Sequence, residues 1–452
     1  MKVLVLGSGG REHAICWHLS RAAREKGVQR EIYCAPGSAA IGSIADRVPI
    51  PVDQIERLAD FATELQIDLT IVGPEQPLAL GVVDAFVERG LPIFGPTREA
   101  AQLETSKVFA KQFMQRNAIP TARAEVAESA EQMVAAARGI GLPVALKADG
   151  LAAGKGVLLA HDESELEHAA AVFFEKRRFG EAGDRVLVEE FLVGQEVSFI
   201  ALSDGYRLLP MATSKDYKRI HEDDRGPNTG GMGAHSPSGI VSGQVARTVF
   251  ENVLQPTVEA MRSEGTPFVG VLYAGIMLTQ DGPKVLEFNT RLGDPEAQAL
   301  LLRLEDDLAD VLAAGALGDF VRSRLSFRSG ASACIVLAAG GYPGEPELGA
   351  VIEGLDPQGS SNEADVEVFH AGTDLDDEGR FRVAGGRVLN VCAVGTGLRD
   401  ALRKAYGVAE RISWPGRQMR PDIGRQVVAA GELRQSGMIR IPRELLDETP
   451  RS

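Results

Sequence analysis

The stretch PVALKADGLAAGKGV, residues 143–157, joins a short apolar run to a loop rich in glycine and lysine. The apolar run is typical of a buried strand, and Lys147 lies at its end. Three glycines and Lys155 follow. Glycine lets a backbone approach a ligand closely, and lysine supplies positive charge, so the pattern predicts a phosphate-binding loop. The alternative is a flexible hairpin with incidental lysines.

This loop does not have the P-loop pattern of common ATPases. A P-loop needs a glycine where Asp149 stands, and a serine or threonine where Gly156 stands. The sequence therefore predicts phosphate chemistry of another kind.

Composition restricts the possible functions of the chain. Its 452 residues predict roughly three domains of about 150 residues each. The net charge of −15 argues against nucleic-acid and anionic-membrane partners. The four cysteines are scattered, which favours a reduced, cytoplasmic setting without a disulfide framework or zinc site. No apolar run approaches the ~18 residues of a membrane span.

The amino-terminal residues predict a doubly wound α/β domain. The apolar run KVLVL, residues 2–6, is followed by a glycine turn and an amphipathic stretch. A dinucleotide fingerprint needs a third glycine where Glu12 stands, and an acid at the end of the second strand, which here ends in Ala35 and Pro36. NAD is thereby disfavoured, while a smaller phosphate at this turn remains open.

Two further predicted strands also end in glycine-containing turns. We expect the turns at 7–10, 73–75 and 95–97 to line one crevice, because ligands gather at the carboxyl ends of parallel strands. The alternative is that they are plain turns between strands and helices. A helix is predicted from about 105 to 117, with Thr105 or Ser106 as its cap. Lys107 in its first turn either meets an anion or is a solvated surface lysine.

The middle of the chain holds two strands and a polar segment. Residues 185–192 and 195–202 predict strands separated by a hinge at Gly194, and Glu196 either binds a ribose or is an exposed glutamate of an ordinary hairpin. Residues 213–237 are too polar and glycine-rich for a core element. We expect an ordered substrate loop there rather than a disordered linker.

Residues 283–288 predict a strand that carries Glu287 and continues to Asn289. Residues two apart on a strand share a face, and a carboxylate beside an amide oxygen suits magnesium. Arg291 and Asp294 follow on a turn that suits the carboxylate and ammonium ends of an amino acid, unless they form a simple salt-bridge cluster. After about residue 330 we expect a small α+β unit with few catalytic groups, and a polar tail after Arg425.

Several motifs resemble those of known enzymes. Lys107, Lys147, the glycine loop, Glu196 and the Glu287/Asn289 pair, in this order, resemble ATP-grasp ligases. The segments GSGGREHA (7–14), TIVGPE (70–75), KADGLAAGKGV (147–157), GPNTGGMGA (226–234), EFNTRLGDPE (287–296) and AAGGYPG (338–344) are similar to the phosphoribosylamine–glycine ligase family. The resemblance covers about residues 1–425.

The resemblance implies a multi-domain fold of α/β and α+β class. It implies an N-terminal parallel α/β domain (1–104), an ATP-grasp domain (105–326) with a mobile lid at about 121–192, a small C-terminal α+β domain (327–425) and a polar tail (426–452). The implied reaction joins glycine to 5-phosphoribosylamine with ATP, giving glycinamide ribonucleotide, ADP and phosphate through glycyl phosphate in purine biosynthesis. The implied cofactor is Mg²⁺ or Mn²⁺, and a monomer or weak homo-oligomer is expected.

The resemblance also implies residue roles. The catalytic residues are expected to be Lys147, Arg291 and Asp294, and the metal ligands Glu287 and Asn289. The ATP-binding residues are expected to be Lys107, Lys147, Gly150, Ala153, Gly154, Lys155, Gly156, Glu189, Glu190, Phe191, Leu192 and Glu196. The substrate-binding residues are expected to be Gly9, Gly10, Arg11, Glu12, Gly73, Pro74, Glu75, Asp216, Arg291 and Asp294. Ser8, His235 and Leu292 depart from the usual family residues without removing a charged position.

Two alternatives to this function are considered. A related ATP-grasp enzyme would join another acid to another amine, or act through carboxyphosphate. A non-catalytic nucleotide-binding or NAD-dependent protein would bind nucleotide without turning ATP over. An acyl phosphate hydrolyses easily, so the ligase reaction also predicts a lid that excludes water.

Overall fold

A parallel five-stranded sheet begins the protein, in a computed structural model that describes residues 1–150 and 156–435. Its elements are β1 (Lys2–Gly7), α1 (Gly10–Lys26), β2 (Glu31–Pro36), β3 (Asp46–Arg47), α2 (Ile55–Glu64), β4 (Leu69–Val72), α3 (Glu75–Ala79), α4 (Val82–Glu88) and β5 (Ile93–Phe94). The strand order is β3-β2-β1-β4-β5. The apolar run of β1 is buried on both faces, as a central parallel strand requires. This is the predicted amino-terminal α/β sheet.

A second sheet, antiparallel and four-stranded, contains the opening stretch of sequence. Two short helices precede it and two helices pack on it: α5 (Gln102–Thr105), α6 (Lys107–Arg116), β6 (Ala124–Ala127), α7 (Ala130–Ile140), β7 (Val144–Ala148), β8 (Val157–Ala160), α8 (Glu163–Ala170) and β9 (Val186–Glu190). The strand order is β6-β9-β7-β8. The buried apolar side chains of this sheet and its helices form a cluster drawn only from residues 127–188. This sheet therefore has a hydrophobic core of its own, which suits a unit that moves as one body.

The third sheet, named the floor sheet here, carries the predicted metal ligands Glu287 and Asn289. Its segment of the chain contains β10 (Gln195–Asp204), β11 (Leu208–Pro210), β12 (Lys215–Asp216), β13 (Arg219–His221), β14 (Arg225–Asn228), β15 (Gly233–Ser236), α9 (Gly243–Val249), α10 (Gln255–Ser263), β16 (Val269–Thr279), β17 (Gly282–Asn289), α11 (Glu296–Arg303) and α12 (Leu308–Ala316). The antiparallel order is β11-β10-β16-β17. The long apolar β16 lies centrally and pairs with both β10 and β17.

The carboxy-terminal sheet corrects the prediction for residues 213–237. The remaining elements are β18 (Ala331–Ala338), β19 (Val366–His370), β20 (Thr373–Leu375), β21 (Phe381–Val383), β22 (Arg387–Gly395), α13 (Leu398–Ala409) and α14 (Arg425–Gln435). The sheet order β12-β15-β18-β22-β19 includes two strands from the segment predicted to be a loop without core elements. β15 is fully buried. Its sequence, Gly-Ala-His-Ser, lacks the β-branched residues that mark a strand, so only pairing with β18 reveals it.

The segment predicted as a polar tail begins with the helix α14. In α14, Val428 packs against the apolar cluster of the carboxy-terminal sheet. Among the helices that the structure describes, none is long and apolar enough to cross a membrane.

Candidate functional site

Three lysines converge on Glu287 at the end of β17. Glu287 and Asn289 lie on one face of the strand, with the buried Phe288 on the other. Lys218 Nζ lies 3.2 Å from Glu287 Oε1 and 2.5 Å from Glu196 Oε1. Lys218 lowers the pKa of Glu287 to about 2 against the effect of burial, and Lys147 and Lys107 contribute further. The Glu287 carboxylate is therefore ionised at any physiological pH.

Lys147 and Glu189 form a buried pair beneath this cluster. Lys147 on β7 is ion-paired with Glu189 on the neighbouring β9 and donates to the Leu286 carbonyl at 3.1 Å. Glu189 is also paired with Lys111 at 2.8 Å. Burial opposes the charge of Glu189, but Lys147 and Lys111 outweigh it and lower the Glu189 pKa. Both carboxylate oxygens of Glu189 thus have lysine partners.

Lys107 is not a solvated surface lysine. It is the first residue of α6, which Ser106 caps by accepting from the Phe109 N–H at 3.0 Å. Its ammonium donates to the Gly150 carbonyl at 2.9 Å, and burial lowers its pKa. Asp149 accepts from Ser106 Oγ at 2.9 Å. The strand end before the glycine loop is therefore fastened to the amino terminus of α6.

The remaining predicted nucleotide residues lie around this cluster. Glu190 Oε2 lies 3.4 Å from Arg123 Nε, the Phe191 ring meets the His161 ring at 5.9 Å, and Leu192 is buried. Gly156 immediately precedes β8, and its carbonyl accepts from the Ala148 N–H at 2.8 Å. The predicted residues Ala153, Gly154 and Lys155 lie outside the described residues.

Arg291 connects the floor sheet to the amino-terminal domain. Its Nε lies 3.1 Å from Glu75 Oε2 and its Nη2 lies 3.0 Å from Glu104 Oε1. Burial opposes the charge, but Glu104 and Glu75 together raise the pKa of Arg291. Glu104 also accepts from the Thr290 N–H at 2.7 Å. The predicted carboxylate binder is thus held by two carboxylates of the protein itself.

Two aspartates in the next part of the site have pKa values shifted in opposite directions. Asp294 accepts from Gln298 Nε2 at 2.7 Å, and Arg387 is the main group that lowers its pKa against burial. Burial raises the pKa of Asp216 well above its usual value, and the nearby Glu296 raises it further. Neighbouring carboxyl groups with opposite pKa shifts are a common feature of sites that both bind anions and handle protons.

The glycine turn after β1 encloses a carboxylate. Glu12 Oε2 accepts from the Gly9 N–H at 2.6 Å, and Glu12 Oε1 accepts from Arg11 Nε at 2.6 Å. A Cβ at Gly73 would lie 2.1 Å from Glu12 Oε1, and one at Gly7 2.6 Å from Glu12 Cδ. The glycines at these two positions are therefore required by the Glu12 side chain.

A cavity of about 440 Å³ opens beside this turn. Of the predicted substrate residues, Gly9, Glu12 and Pro74 line it, together with Asp53 and other residues. The predicted third turn, 95–97, does not line this cavity, because β5 lies at the edge of the sheet, beyond β4. Gly95 instead approaches Leu78 and Val83. The crevice prediction was wrong for this turn, and the end of β2 at Pro36 takes its place.

Gly10 and Arg11 face inward rather than toward the cavity. A Cβ at Gly10 would lie 2.2 Å from Asn390 Nδ2 on β22. The absence of a side chain at Gly10 therefore allows the carboxy-terminal sheet to pack closely against the start of α1. Arg11 Nη1 donates to the Leu292 carbonyl at 3.0 Å. The sequence interpretation did not assign roles to Glu104, Lys111, Lys218, Gln298 and Arg387. Of these, only Lys218 had a local signal, since it lies in the polar segment already expected to meet substrate.

An antiparallel sheet with its own apolar core faces a second antiparallel sheet that ends in an acid–amide pair. Lys147 of the first sheet, together with Lys107 and Lys218, lies around that pair, and this arrangement defines an ATP-grasp enzyme. Family profiles for phosphoribosylglycinamide synthetase match residues 1–104 (N domain), 105–297 (ATP-grasp domain) and 332–426 (C domain). The chain belongs to the phosphoribosylamine–glycine ligase family.

Similar proteins support this membership. The chain is 48% identical over 432 residues to the phosphoribosylamine–glycine ligase of Vibrio parahaemolyticus, covering 95% of this chain and 99% of that one. It is 47% identical to that of Allochromatium vinosum, over the same shares of the two chains. The crystal structure of the Thermotoga maritima enzyme matches with a TM-score of 0.79 at 33% identity, covering 93% of this chain and all of that one. A biotin carboxylase domain from Hydrogenobacter thermophilus shares the fold alone, at 19% identity and a TM-score of 0.70.

Proposed function

We propose that this protein joins glycine to 5-phosphoribosylamine with ATP, giving glycinamide ribonucleotide, ADP and phosphate, in de novo purine biosynthesis. The observation that carries the proposal is the placement of Arg291. It lies two residues after Asn289, the last residue of β17, and reaches Glu75 of the amino-terminal domain. An anion held by Arg291 would thus lie between the lysine cluster and the glycine-turn cavity, where both reaction steps need it.

The chemistry needs charge neutralisation rather than a protein nucleophile. The glycine carboxylate attacks the terminal phosphorus of ATP, the bond to the bridging oxygen breaks, and glycyl phosphate and ADP form. The amine of phosphoribosylamine then attacks the acyl carbon, phosphate leaves, and the nitrogen loses a proton. The first step joins two anions, so Lys107, Lys147 and Arg291 act by balancing charge and by positioning.

The amine side uses the two aspartates differently. Ionised Asp294 accepts hydrogen bonds from the glycine ammonium, while Arg291 holds the glycine carboxylate. Burial raises the pKa of Asp216, so this carboxyl group adds negative charge to the amine side less readily than Asp294 does. At the phosphoribosylamine end, Gly9, Glu12 and Pro74 line the cavity. The residues that support them from behind are Gly10, Arg11, Gly73 and Glu75.

The donor set at Glu287 fits a divalent cation shared with phosphates. No cluster of three or more histidine, cysteine or acidic side chains suited to a metal exists among residues 1–150 and 156–435. Two hard oxygen donors beside phosphate-binding lysines are what magnesium uses when phosphates complete its shell. Glu287 and Asn289 would hold Mg²⁺, or Mn²⁺, which when bound withdraws charge from the phosphate oxygens.

The nucleotide lies between the two antiparallel sheets in this proposal. The proposed phosphate-binding residues of segment 150–156 are Gly150, Ala153, Gly154, Lys155 and Gly156. Glu189, Glu190, Phe191 and Leu192 border the adenine, and Glu196 receives the ribose. Lys218 pairs with both Glu196 and Glu287. It therefore links the proposed ribose-binding residue to a proposed metal ligand.

Domain boundaries and assembly are part of the proposal. Divisions at about 104, 326 and 425 separate the amino-terminal, ATP-grasp and carboxy-terminal domains, and the 121–192 segment moves as the lid. Its independent apolar core supports that motion. We also propose a cytoplasmic monomer or weak homo-oligomer without nucleic-acid or membrane partners, in keeping with the net charge of −15.

The test is substrate-dependent ADP release. Purified protein with Mg²⁺ should release ADP only when both glycine and phosphoribosylamine are present, with formation of glycinamide ribonucleotide shown by mass spectrometry. ADP release that is unchanged when glycine is left out would sink the proposal. Bicarbonate-dependent release would indicate carboxyphosphate chemistry instead, and nucleotide binding without turnover would indicate a non-catalytic role.

A further inference from the structure

Arg387 is a carboxy-terminal residue that reaches the amine side of the site. It begins β22, and its Nη1 donates to the main-chain carbonyls of Gly230 at 2.7 Å and Asp294 at 2.5 Å. Its Nη2 also lies 3.4 Å from Asp294 Oδ2. One guanidinium therefore holds a proposed substrate-binding carboxylate, the main chain of that residue and the glycine-rich segment 226–233.

Both main-chain polar groups of Gly230 are hydrogen-bonded to side chains of the carboxy-terminal domain. Its N–H donates to Tyr342 Oη at 2.9 Å, while its carbonyl accepts from Arg387. The next residue, Gly231, has φ +115°, and a Cβ there would lie 2.7 Å from Asp216 Oδ1. Tyr342 and Arg387 thus fix the segment that packs directly on the second aspartate.

The charge of Arg387 is balanced by the site itself. Burial opposes its charge, but Asp294, Tyr342, Asp216 and Glu296 together raise its pKa. In the opposite direction, Arg387 is the leading group that lowers the pKa of Asp294, with Arg11, the Gln298 amide and Arg291 contributing less. Among the residues that the structure describes, Arg387 is thus the cation with the strongest influence on Asp294.

We propose that Arg387 is a positioning residue for the glycine-binding side of the reaction, which makes the carboxy-terminal domain a structural part of the active site. Arg387 holds the Asp294 carboxylate in the position that receives the glycine ammonium. Through its hydrogen bond to Gly230 it also keeps the 226–233 segment packed against Asp216. This inference rests on the proposed function. A planar guanidinium can serve two carbonyls and a carboxylate at once, whereas a lysine ammonium on a flexible stem cannot reproduce that fork.

The test compares Arg387→Ala and Arg387→Lys with the control Arg382→Ala. Arg382 is an arginine of the same domain whose side chain is 43% exposed and pairs with Asp374. Because charge-assisted hydrogen bonds are lost, Arg387→Ala should raise the KM for glycine about tenfold to a hundredfold while the KM for ATP changes by less than about twofold. Arg387→Lys should lie between Arg387→Ala and wild type, and Arg382→Ala should match wild type.

Two readouts separate positioning from general loss of structure. Without Arg387 the Asp294 pKa rises, so the acidic limb of kcat/KM for glycine should move to higher pH in Arg387→Ala. Guanidinium ion, added far below denaturing concentrations, should restore part of the glycine affinity to Arg387→Ala and none to Arg382→Ala. An unchanged glycine KM, or equal rises in the KM values for glycine and ATP, would overturn the inference.

Two further measurements keep the test decisive. Tyr342→Phe removes the acceptor of the Gly230 N–H and should increase amide hydrogen exchange across 226–233, a readout that needs no turnover. Unchanged exchange in both Tyr342→Phe and Arg387→Lys would count against the inference. If the wild-type protein does not form glycinamide ribonucleotide, the proposed function fails, whereas wild-type turnover with indifferent Arg387 variants refutes this inference alone.

Discussion

Replacing Lys147 with methionine removes the cation that faces both Glu189 and the proposed ATP phosphates. The Lys147 side chain is 11% exposed and that of Glu189 is 4% exposed, so the pair is dry. Lys111 remains to balance Glu189. We therefore expect a stability loss of about 1–3 kcal/mol rather than the larger cost of an unpaired buried charge. For domains of this size that is a fall of about 2–4 °C in Tm per kcal/mol.

The expected loss of activity is much larger. A charged donor aimed at a transferring phosphoryl group in a site without water contributes about 10²–10³ in rate. Lys147→Met should therefore lower kcat/KM for ATP by about that factor, measured by ADP release at varied ATP, with Tm followed by differential scanning fluorimetry. The change in rate should far exceed what partial unfolding at the assay temperature can produce.

Lys111→Met is the matched control. Lys111 shares Glu189 with Lys147 but also donates to Thr121 Oγ1 at 2.6 Å and to the Ala122 carbonyl at 3.2 Å. It should cost at least as much Tm as Lys147→Met and leave ATP turnover largely intact. Equal losses of ATP turnover in the two variants, at equal losses of Tm, would refute the assignment and make Lys147 a structural lysine.

Three other predictions follow from the charges described above. Glu287→Gln should raise the Mg²⁺ concentration for half-maximal activity by about tenfold or more, whereas Asn289→Asp should lower it; metal titrations of ADP release decide. Gly73→Ala should push Glu12 out of its enclosure and lower Tm, and Glu12→Ala should recover part of that loss in the double variant; additive changes would contradict the contact. Four buried histidines have a pKa lowered first by burial, His13 to about 3 and His18, His235 and His370 to about 4. Below about pH 6.5 the unfolded chain binds protons that the folded chain does not, so stability should fall by about 1.4 kcal/mol per pH unit for each histidine. Urea midpoints from pH 7 to 5 test this, and His18→Gln should make the slope shallower.

The parts of the site that the sequence predicted are those carried by local pattern. The two-residue spacing of Glu287 and Asn289 was enough to place them on one face of β17. Lys107 at the start of a capped helix was likewise visible in the sequence, although its burial was not. Strand and helix periodicity therefore found the short-range geometry correctly.

The parts that were missed depend on contacts between residues far apart in the chain. Glu104 meets Arg291 and Arg387 meets Asp294 across large sequence separations, and no local spacing predicts either pair. The strand β15 is made by pairing with β18, not by propensity. The turn at 95–97 was misplaced because strand order, which excludes β5 from the crevice, cannot be obtained from the turn sequences themselves.

Carboxylates of the protein already contact three of the groups proposed to bind substrate anions. Glu189 pairs with Lys147, Glu75 with Arg291, and Glu12 accepts from the Gly9 N–H at the start of α1. With the site residues proposed above, ligand binding is an exchange of one anion for another, and its free energy is the difference between two sets of contacts. Small anions that are abundant in cells, such as chloride or free phosphate, gain little from such an exchange. A substrate gains more because it competes at several of these positions together, which turns three modest preferences into selectivity for the whole molecule.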